Sequence, residues 1–303
     1  MKFDGPVVVV LGPTASGKSD VAMAVATEQS NVEIVACDAM QVYRGMDVGT
    51  AKPTLADRGA VPHHGLDLVD PQDRFTVSDF QTAGRQAIAE IHGRGNVALI
   101  VAGTGLYLTA LIDDLAFPGE FPDVRAQLER DLDTAGLMDR LRRLDPEAAA
   151  KIEPGNRRRI IRALEVCIGS GQKFSTTGPG TDAYPPNGVP QIGILWERDA
   201  LATRVTERVH RMMANGFEAE ARTIFKEKSP SHTAAQALGY RELFAHFRGE
   251  CSLDAAVADM ITHTKQFAVR QERWFRRDPR IEWVRVRQDP VAEVAPFVAR
   301  HCS

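Results

Sequence analysis

Cysteine is scarce and unpaired in this 303-residue chain: Cys37, Cys167, Cys251 and Cys302 are scattered, with no CxxC spacing among them. That pattern gives neither a zinc finger nor a disulfide framework, and a reducing compartment suits it best. Long apolar runs are missing too. The run VVVVL near the N-terminus is far too short to span a bilayer, and it leads straight into a glycine-rich loop instead of a cleavage site. A cytoplasmic location with no membrane partner is the expectation. Neither sign of charge dominates, because 37 Lys and Arg face 40 Asp and Glu for a net charge of -3. A nucleic-acid partner therefore has no global charge signature here, and only local clusters could reveal one. Internal repeats and low-complexity tracts are absent as well. What is present, 44% hydrophobic and 25% charged residues, describes an ordinary globular chain with ample core for one large domain or two modest ones.

Residues 7–11 (VVVVL), 32–37 (VEIVAC) and 97–103 (VALIVAG) are short continuous apolar runs, the pattern of strands buried on both faces of a parallel sheet. Between the first two, SDVAMAVATEQ carries apolar residues at helical spacing. Thr76, with Asp79 three residues on, predicts a capped helix through Phe80, Ala83, Ala87, Ile88 and Ile91. This alternation predicts a parallel sheet with right-handed crossovers. After Asp113 the texture changes: PDVRAQLERDLDTAG, DPEAAAKI and NRRRIIRALEVCIGSG are helix upon helix with no strand candidate. Residues 113–190 are therefore expected to form a helical insertion, ending in the loop or hinge KFSTTGPGTDAYPPNGVP. Residues 1–112 and 191–303 would form the core, with QIGILW (191–196) restoring a buried strand and three or more amphipathic helices preceding IEWVRV (281–286). The fold class expected is α/β, a P-loop NTPase-like parallel sheet core with an inserted helical domain.

The stretch Gly12-Pro13-Thr14-Ala15-Ser16-Gly17-Lys18-Ser19 matches G-x-x-x-x-G-K-[ST], with a strand before it and a helix after it. Glycines let backbone N–H groups converge on phosphate oxygens, the helix N-terminus adds a favourable dipole, Lys18 adds a point charge, and Ser19 can ligand Mg²⁺. Such a loop serves kinases, ATPases and GTPases alike, so it does not name the reaction. A nucleotide-hydrolysing protein of this kind needs an acidic residue at the end of a second apolar strand. VALIVAG instead ends in Gly103-Thr104-Gly105. The nearest carboxylate on offer is Asp38, after VEIVAC, and residues just past the carboxyl ends of neighbouring parallel strands share one crevice. Gly12 to Ser19, Asp38 and Thr104 are thus expected around a single site. Asp38 could also serve as a turn or cap residue, and Thr104 as the N-cap of LYLTALI. His63 and His64, in PHHGLDLVDP, invite a metal reading with Asp67 and Asp70, but adjacent loop histidines without well-spaced further ligands read better as hydrogen-bonded structural groups.

Two basic clusters stand out against the acidic total. Lys151 to Arg162 holds five basic residues and one acid, Glu153. Lys265 to Arg287 holds eight basic residues against Glu272, Asp278 and Glu282, with Phe267, Trp274, Phe275 and Trp283 among them. Basic residues interleaved with aromatics suit a phosphate backbone with splayed-out bases, whereas a single charge run is usually a solvated helix face.

Taken together, GPTASGKS, DAMQVYRGMDVGTAKP, PHHGLDLVDP, FTVSDF, VAGTGLYLTAL, NRRRIIRALEV, GFEAEAR, QALGYREL and RQERWFRR resemble the successive signatures of the tRNA dimethylallyltransferase (isopentenyltransferase) family, in order along nearly the whole chain. The resemblance implies transfer of a dimethylallyl group from dimethylallyl diphosphate to N6 of the adenosine just 3′ of a tRNA anticodon. It implies that Gly12 to Ser19 hold the diphosphate, that Asp38 is the general base, that Thr104 helps bind the substrate and its leaving group, and that Arg222 contacts the diphosphate. It also implies tRNA contacts from Asp38, Ala39, Met40 and Gln41, from Arg158, Arg159, Ile160, Ile161 and Arg162, from Gln236, Ala237, Leu238, Gly239, Tyr240 and Arg241, and from Arg270, Arg273, Trp274 and Arg276. The partners implied are the tRNA anticodon stem-loop and dimethylallyl diphosphate, with Mg²⁺ as cofactor, and a monomer is expected. Ala39 stands where the family usually has Ser, Ala102 where Gly is frequent, and Val269 where a basic residue is usual. The chemistry accounts for the missing strand-end acid, because diphosphate leaves whole and no water has to be aligned on a γ-phosphate. The competing readings are a P-loop kinase, a prenyltransferase acting on a free nucleotide, and an RNA-binding module with a vestigial loop.

Overall fold

In the computed structural model, residues 3–177, 180–181, 183–227 and 229–302 are described. The chain divides into two compact units, one of residues 1–113 with 184–303 and one of residues 114–183.

The first unit is organised by a six-stranded sheet. In chain order it holds β1 (Val7–Leu11), α1 (Lys18–Glu28), β2 (Val32–Cys37), α2 (Leu55–Ala60), β3 (His63–His64), α3 (Val77–Gly93), β4 (Val97–Ala102) and α4 (Gly105–Ile112). The second unit contributes α5 (Pro122–Arg130), α6 (Thr134–Leu144), α7 (Pro146–Lys151) and α8 (Arg157–Ser170). The first unit then resumes with β5 (Gln191–Trp196), α9 (Arg198–Ala214), α10 (Phe217–Glu227), α11 (His232–Ala235), α12 (Tyr240–Phe247), α13 (Leu253–Phe275), β6 (Ile281–Val286) and α14 (Pro290–Ala299). The strand order is β3-β2-β4-β1-β5-β6, and every pairing is parallel. The strands read from the apolar runs are all present. The two-residue β3 is an addition: it lies in the loop segment PHHG and pairs His63 and His64 with Ile34 and Val35.

Alternation along β1 explains why its run is unbroken valine. Val7, Val9 and Leu11 pack into the core on one face with Phe80, Ile88 and Leu111, while Val8 and Val10 pack on the other with Val21, Val25, Ile194 and Val294. Such a strand has no solvent face on which to place a polar residue. Helix α3 starts where the sequence predicts, since Thr76 Oγ1 accepts the Asp79 N–H at 3.2 Å and the Asp79 carboxylate accepts the Thr76 N–H at 2.8 Å.

The second unit has a core of its own, built from Leu128, Leu137, Leu141, Ile160, Ile161 and Leu164. The two points where the chain leaves and re-enters the first unit are held together within that unit. The Arg280 guanidinium donates to both Asp113 carboxylate oxygens, at 2.6 and 2.7 Å, to the Pro185 carbonyl at 2.8 Å, and to Asp278 at 2.7 Å. Against the pull of burial, these two carboxylates hold Arg280 even more firmly cationic than a free guanidinium.

Candidate active site

β1 lies between β4 and β5, and its C-terminal end opens into the loop Gly12 to Ser19. Gly17, at φ +94°, adopts a conformation that L side chains rarely take, and a Cβ there would sit 2.5 Å from Pro290 Cγ. Ala15 is also left-handed, at φ 63°, and is held there by Arg204 Nε, which donates to its carbonyl at 2.8 Å. Arg204 in turn stacks over Trp196 at 4.4 Å, and Trp196 Nε1 donates to the Ser16 carbonyl at 3.0 Å. The loop is therefore braced from β5 and α9 by two side chains that the motif does not include. Because Gly17 precedes α1 and has no side chain, it gives that helix no side-chain cap, and Ser16 Oγ is buried without a hydrogen-bond partner among the described residues.

Two further strand ends, those of β2 and β4, complete the crevice. A Cβ on Gly103 would lie 3.3 Å from Asp38 Oδ2, 3.6 Å from Gln271 Nε2 and 3.9 Å from Lys18 Cε, so the three side chains converge on the end of β4. The expected clustering of the phosphate loop, Asp38 and Thr104 is what the geometry displays. Asp38 does two things at once. Its Oδ1 accepts from the Met40 and Gln41 amides at 2.8 and 3.3 Å, the turn role, while Oδ2 faces Gly103. Thr104 stands at the N-cap position of α4 yet makes no cap bond; its Oγ1 accepts from the Ala39 N–H at 3.1 Å, which leaves its hydroxyl proton to donate into the crevice. That contact uses the backbone, so Ala at position 39 loses nothing by it.

Lys18 is folded back, with Nζ donating to the Pro13 carbonyl at 2.8 Å. Burial, aided by Arg208 and opposed by Asp38, lowers its ammonium to about 7. Burial also lowers Arg208, which Asp38 and Asp20 pull the other way. Gln271 of α13 ties the crevice shut at its base: its Oε1 accepts from the Thr14 N–H at 2.8 Å and its Nε2 donates to the Gly103 carbonyl at 2.6 Å.

Arg222 lies on α10, pairs with Glu218 at 2.6 Å and stacks over Phe247 at 4.2 Å, while the cation that shares electrostatics with Asp38 and Lys18 is Arg208. In the segment 236–241, Ala237, Gly239 and Tyr240 are buried, Arg241 pairs with Glu242 at 2.5 Å, Leu238 is half-buried and Gln236 is exposed. Tyr240 donates to Glu220 at 2.5 Å, and burial with that carboxylate beside it pushes its hydroxyl far above the usual range, fixing it as a donor. On α13, Arg270 and Arg273 are exposed, Arg276 pairs with Glu272 at 2.7 Å, and half-buried Trp274 lies under Arg277 at 4.0 Å. Arg273, Arg276 and Val269 line a cleft of about 550 Å³ floored by Trp196, Leu201 and Val205.

In the second unit, Ile160 and Ile161 are core residues, 0% and 3% exposed, which removes their side chains from any interface. Arg157 donates to the carbonyls of Glu129 and Asp131 at 3.1 and 2.6 Å, and Arg162 to the Pro118 carbonyl at 2.7 Å and to Glu165. Arg158 and Arg159 are exposed, as is Lys151, which pairs with Glu147 at 3.0 Å. His63 and His64 are structural: Nδ1 of His63 bonds the Val61 carbonyl and Nε2 of His64 bonds Glu33, each at 2.7 Å.

A parallel sheet that feeds an uncapped helix N-terminus, a lysine and a buried serine at one strand end, with a carboxylate at the next but one, defines a P-loop-type protein that binds a phosphorylated substrate. The IPP transferase family model matches residues 41–278 and the isopentenyl transferase model residues 5–59. The chain belongs to the IPP transferase family. It is 46% identical over 288 residues to the tRNA dimethylallyltransferase of Kineococcus radiotolerans, covering 92% of this chain and 90% of the relative. Among solved structures it is similar to the tRNA isopentenylpyrophosphate transferase of Bacillus halodurans, at 35% identity and a TM-score of 0.71, covering 98% of this chain and 96% of that one. A eukaryotic dimethylallyltransferase solved with tRNA as its subject shares the fold, with a TM-score of 0.78 at 24% identity over 93% of this chain and 74% of that one.

Proposed function

We propose that this protein transfers a dimethylallyl group from dimethylallyl diphosphate to N6 of the adenosine just 3′ of the anticodon in tRNA. The observation that carries the reading is the crevice at Gly103, where Asp38 Oδ2 and Lys18 meet beside the uncapped start of α1. The phosphate loop Gly12 to Ser19 holds the diphosphate, with the amides of the first turn of α1, the Ser16 hydroxyl and the Lys18 ammonium as donors. Arg208, which shares the field of Lys18 and Asp38, is the second cation of that group. The oxygen donors fit Mg²⁺, since Ser19 is exposed on the first turn of α1 beside the loop, and Mg²⁺ favours one or two protein oxygens plus phosphate. When bound it neutralises charge on the departing diphosphate.

The adenine amine is a weak nucleophile because its lone pair is delocalised into the ring. As the bond from N6 to the prenyl carbon forms and the carbon–oxygen bond to diphosphate breaks, the N6 proton passes to Asp38 Oδ2, the oxygen not committed to the turn. The negative charge leaves on the diphosphate, where Lys18, Arg208 and the Thr104 hydroxyl meet it. An anticodon loop is single-stranded, so its base can be extruded at modest cost.

Incubating the protein with dimethylallyl diphosphate, Mg²⁺ and an unmodified anticodon stem-loop is expected to add one dimethylallyl mass to a single adenosine. Asp38→Ala is expected to lower kcat by about 100-fold or more, with stem-loop affinity within a few-fold. Phosphate transfer from ATP, or prenylation of free AMP in preference to the stem-loop, would overturn the reading.

A further inference from the structure

The loop that follows Asp38 carries no regular structure from residue 38 to residue 54 apart from an isolated bridge at Tyr43, yet it must fix the position of the proposed base. Its far end is gripped by one side chain. Glu220 of α10 accepts three successive backbone N–H groups, from Asp47 at 3.0 Å and Val48 at 2.7 Å on Oε2 and from Gly49 at 3.0 Å on Oε1. Tyr240 adds a fourth donor to Oε1 at 2.5 Å. Three consecutive amides aimed at one carboxylate form an anion nest, and four donors come close to saturating its lone pairs. Gly49 is pressed against the same wall: a Cβ there would fall 2.1 Å from Phe217 and 2.6 Å from Tyr240.

The grip is relayed toward the crevice by the next two residues. The Thr50 carbonyl accepts from Gln41 Nε2 at 3.2 Å and lies 3.5 Å from Arg208 Nη2, and the Ala51 carbonyl accepts from Gln41 Nε2 at 3.3 Å. The backbone N–H of Gln41 in turn donates to Asp38 Oδ1 at 3.3 Å. We propose that Glu220 is a positioning residue for prenyl transfer: by clamping residues 47–49 it sets the Thr50 and Ala51 carbonyls, and through Gln41 and Arg208 it orients the Asp38 carboxylate and the diphosphate-facing guanidinium. Glu220 touches neither substrate nor reacting atom. The loop has a second, independent anchor in buried Lys52, whose Nζ bonds the Tyr43 carbonyl at 2.7 Å, Asp47 at 2.6 Å and Asp67 at 2.7 Å, so loss of the Glu220 charge loosens residues 47–51 without releasing the whole segment.

The inference rests on the prenyl-transfer reading, and the experiment separates the two. Wild-type protein is assayed first with dimethylallyl diphosphate and the stem-loop; absence of product overturns the prenyl-transfer reading itself. Given product, Glu220→Gln replaces an acceptor by a group that turns an amide N–H toward the nest. It is expected to lower kcat by about 10- to 100-fold, the cost of misplacing a reacting group by a fraction of an ångström, with KM for dimethylallyl diphosphate within about 2-fold. Amide hydrogen exchange is expected to speed up at residues 47–51 and to stay unchanged in β1 and β4. Tyr240→Phe removes one donor of four and is expected to give the same exchange pattern with a smaller kcat loss; it carries the test alone if the first variant fails to fold. Unaltered kcat alongside faster exchange at 47–51, or a kcat loss that comes with faster exchange across the whole sheet, would overturn the positioning role.

Discussion

Asp38 shows how a single carboxylate serves both as scaffold and as reagent: one oxygen holds the turn through Met40 and Gln41, and the other is left facing Gly103. The cations around it are sorted by helix face. Arg204 and Arg208 sit four residues apart on α9, so both point to the phosphate loop, one bracing Ala15 and the other sharing the field of Asp38. Arg222 sits on a different helix and spends its charge on Glu218. Arg208→Ala is therefore expected to lower kcat/KM for dimethylallyl diphosphate by about 100-fold, as removal of a leaving-group donor does. Arg222→Ala, an exposed i,i+4 pair, is expected to stay within about 3-fold. Steady-state diphosphate release measured on both variants checks the contrast; the reverse ranking would return the role to Arg222. The motif loop and Asp38 were legible from the sequence because a strand, a glycine loop and a helix are contiguous. Arg208 and Gln271 were not, since their approach depends on strand order and helix facing, which no local pattern carries.

At the scale of elements, β2 is pinned at the end remote from the site by a polar knot. Glu33, 3% exposed, accepts from Arg94 at 2.8 Å through two nitrogens, from Asn96 at 2.7 Å and from His64 at 2.7 Å. The Arg94 hydrogen bonds, outweighing burial and joined by Asn96 and His64, hold Glu33 at about 2 instead of 4.5. A depressed folded-state value means the stabilisation is full above pH 4.5 and is lost as pH falls from there toward 2. Glu33→Gln is expected to lose about 1 to 3 kcal/mol of stability at pH 7, with the gap to wild type closing by about pH 2. Urea unfolding at several pH values checks this; a gap that persists unchanged at low pH would refute it. The same knot explains why β3 escaped the sequence reading. Two residues have no periodicity, and His64 is recruited to the sheet edge by a glutamate 31 positions away. For QALGYR the resemblance implied tRNA contacts, and no local pattern in the sequence signals that Tyr240 is buried against Phe217.

At the scale of the molecule, a net charge of -3 leaves tRNA attraction to local cations. In the second unit the cluster 157–162 divides its labour, with Arg157 and Arg162 bound to backbone carbonyls, the isoleucines in the core, and Arg158 and Arg159 turned to solvent. Each of Arg158→Ala and Arg159→Ala is expected to weaken stem-loop binding and to lower the slope of log affinity against log salt by about one. Fluorescence titration at several salt concentrations checks it, and an unchanged slope would remove these residues from the interface. Arg280 closes the account of the two-unit chain. Because one guanidinium holds both Asp113 and the Pro185 carbonyl, the exit and return of the polypeptide are spatial neighbours, and the sheet sees residues 114–183 as a single long loop already shut at its neck. Closure entropy grows only with the logarithm of loop length, so insertions or deletions in that excursion leave the folding free energy of the sheet nearly untouched. The neck makes the excursion the stretch in which this architecture can change length most freely.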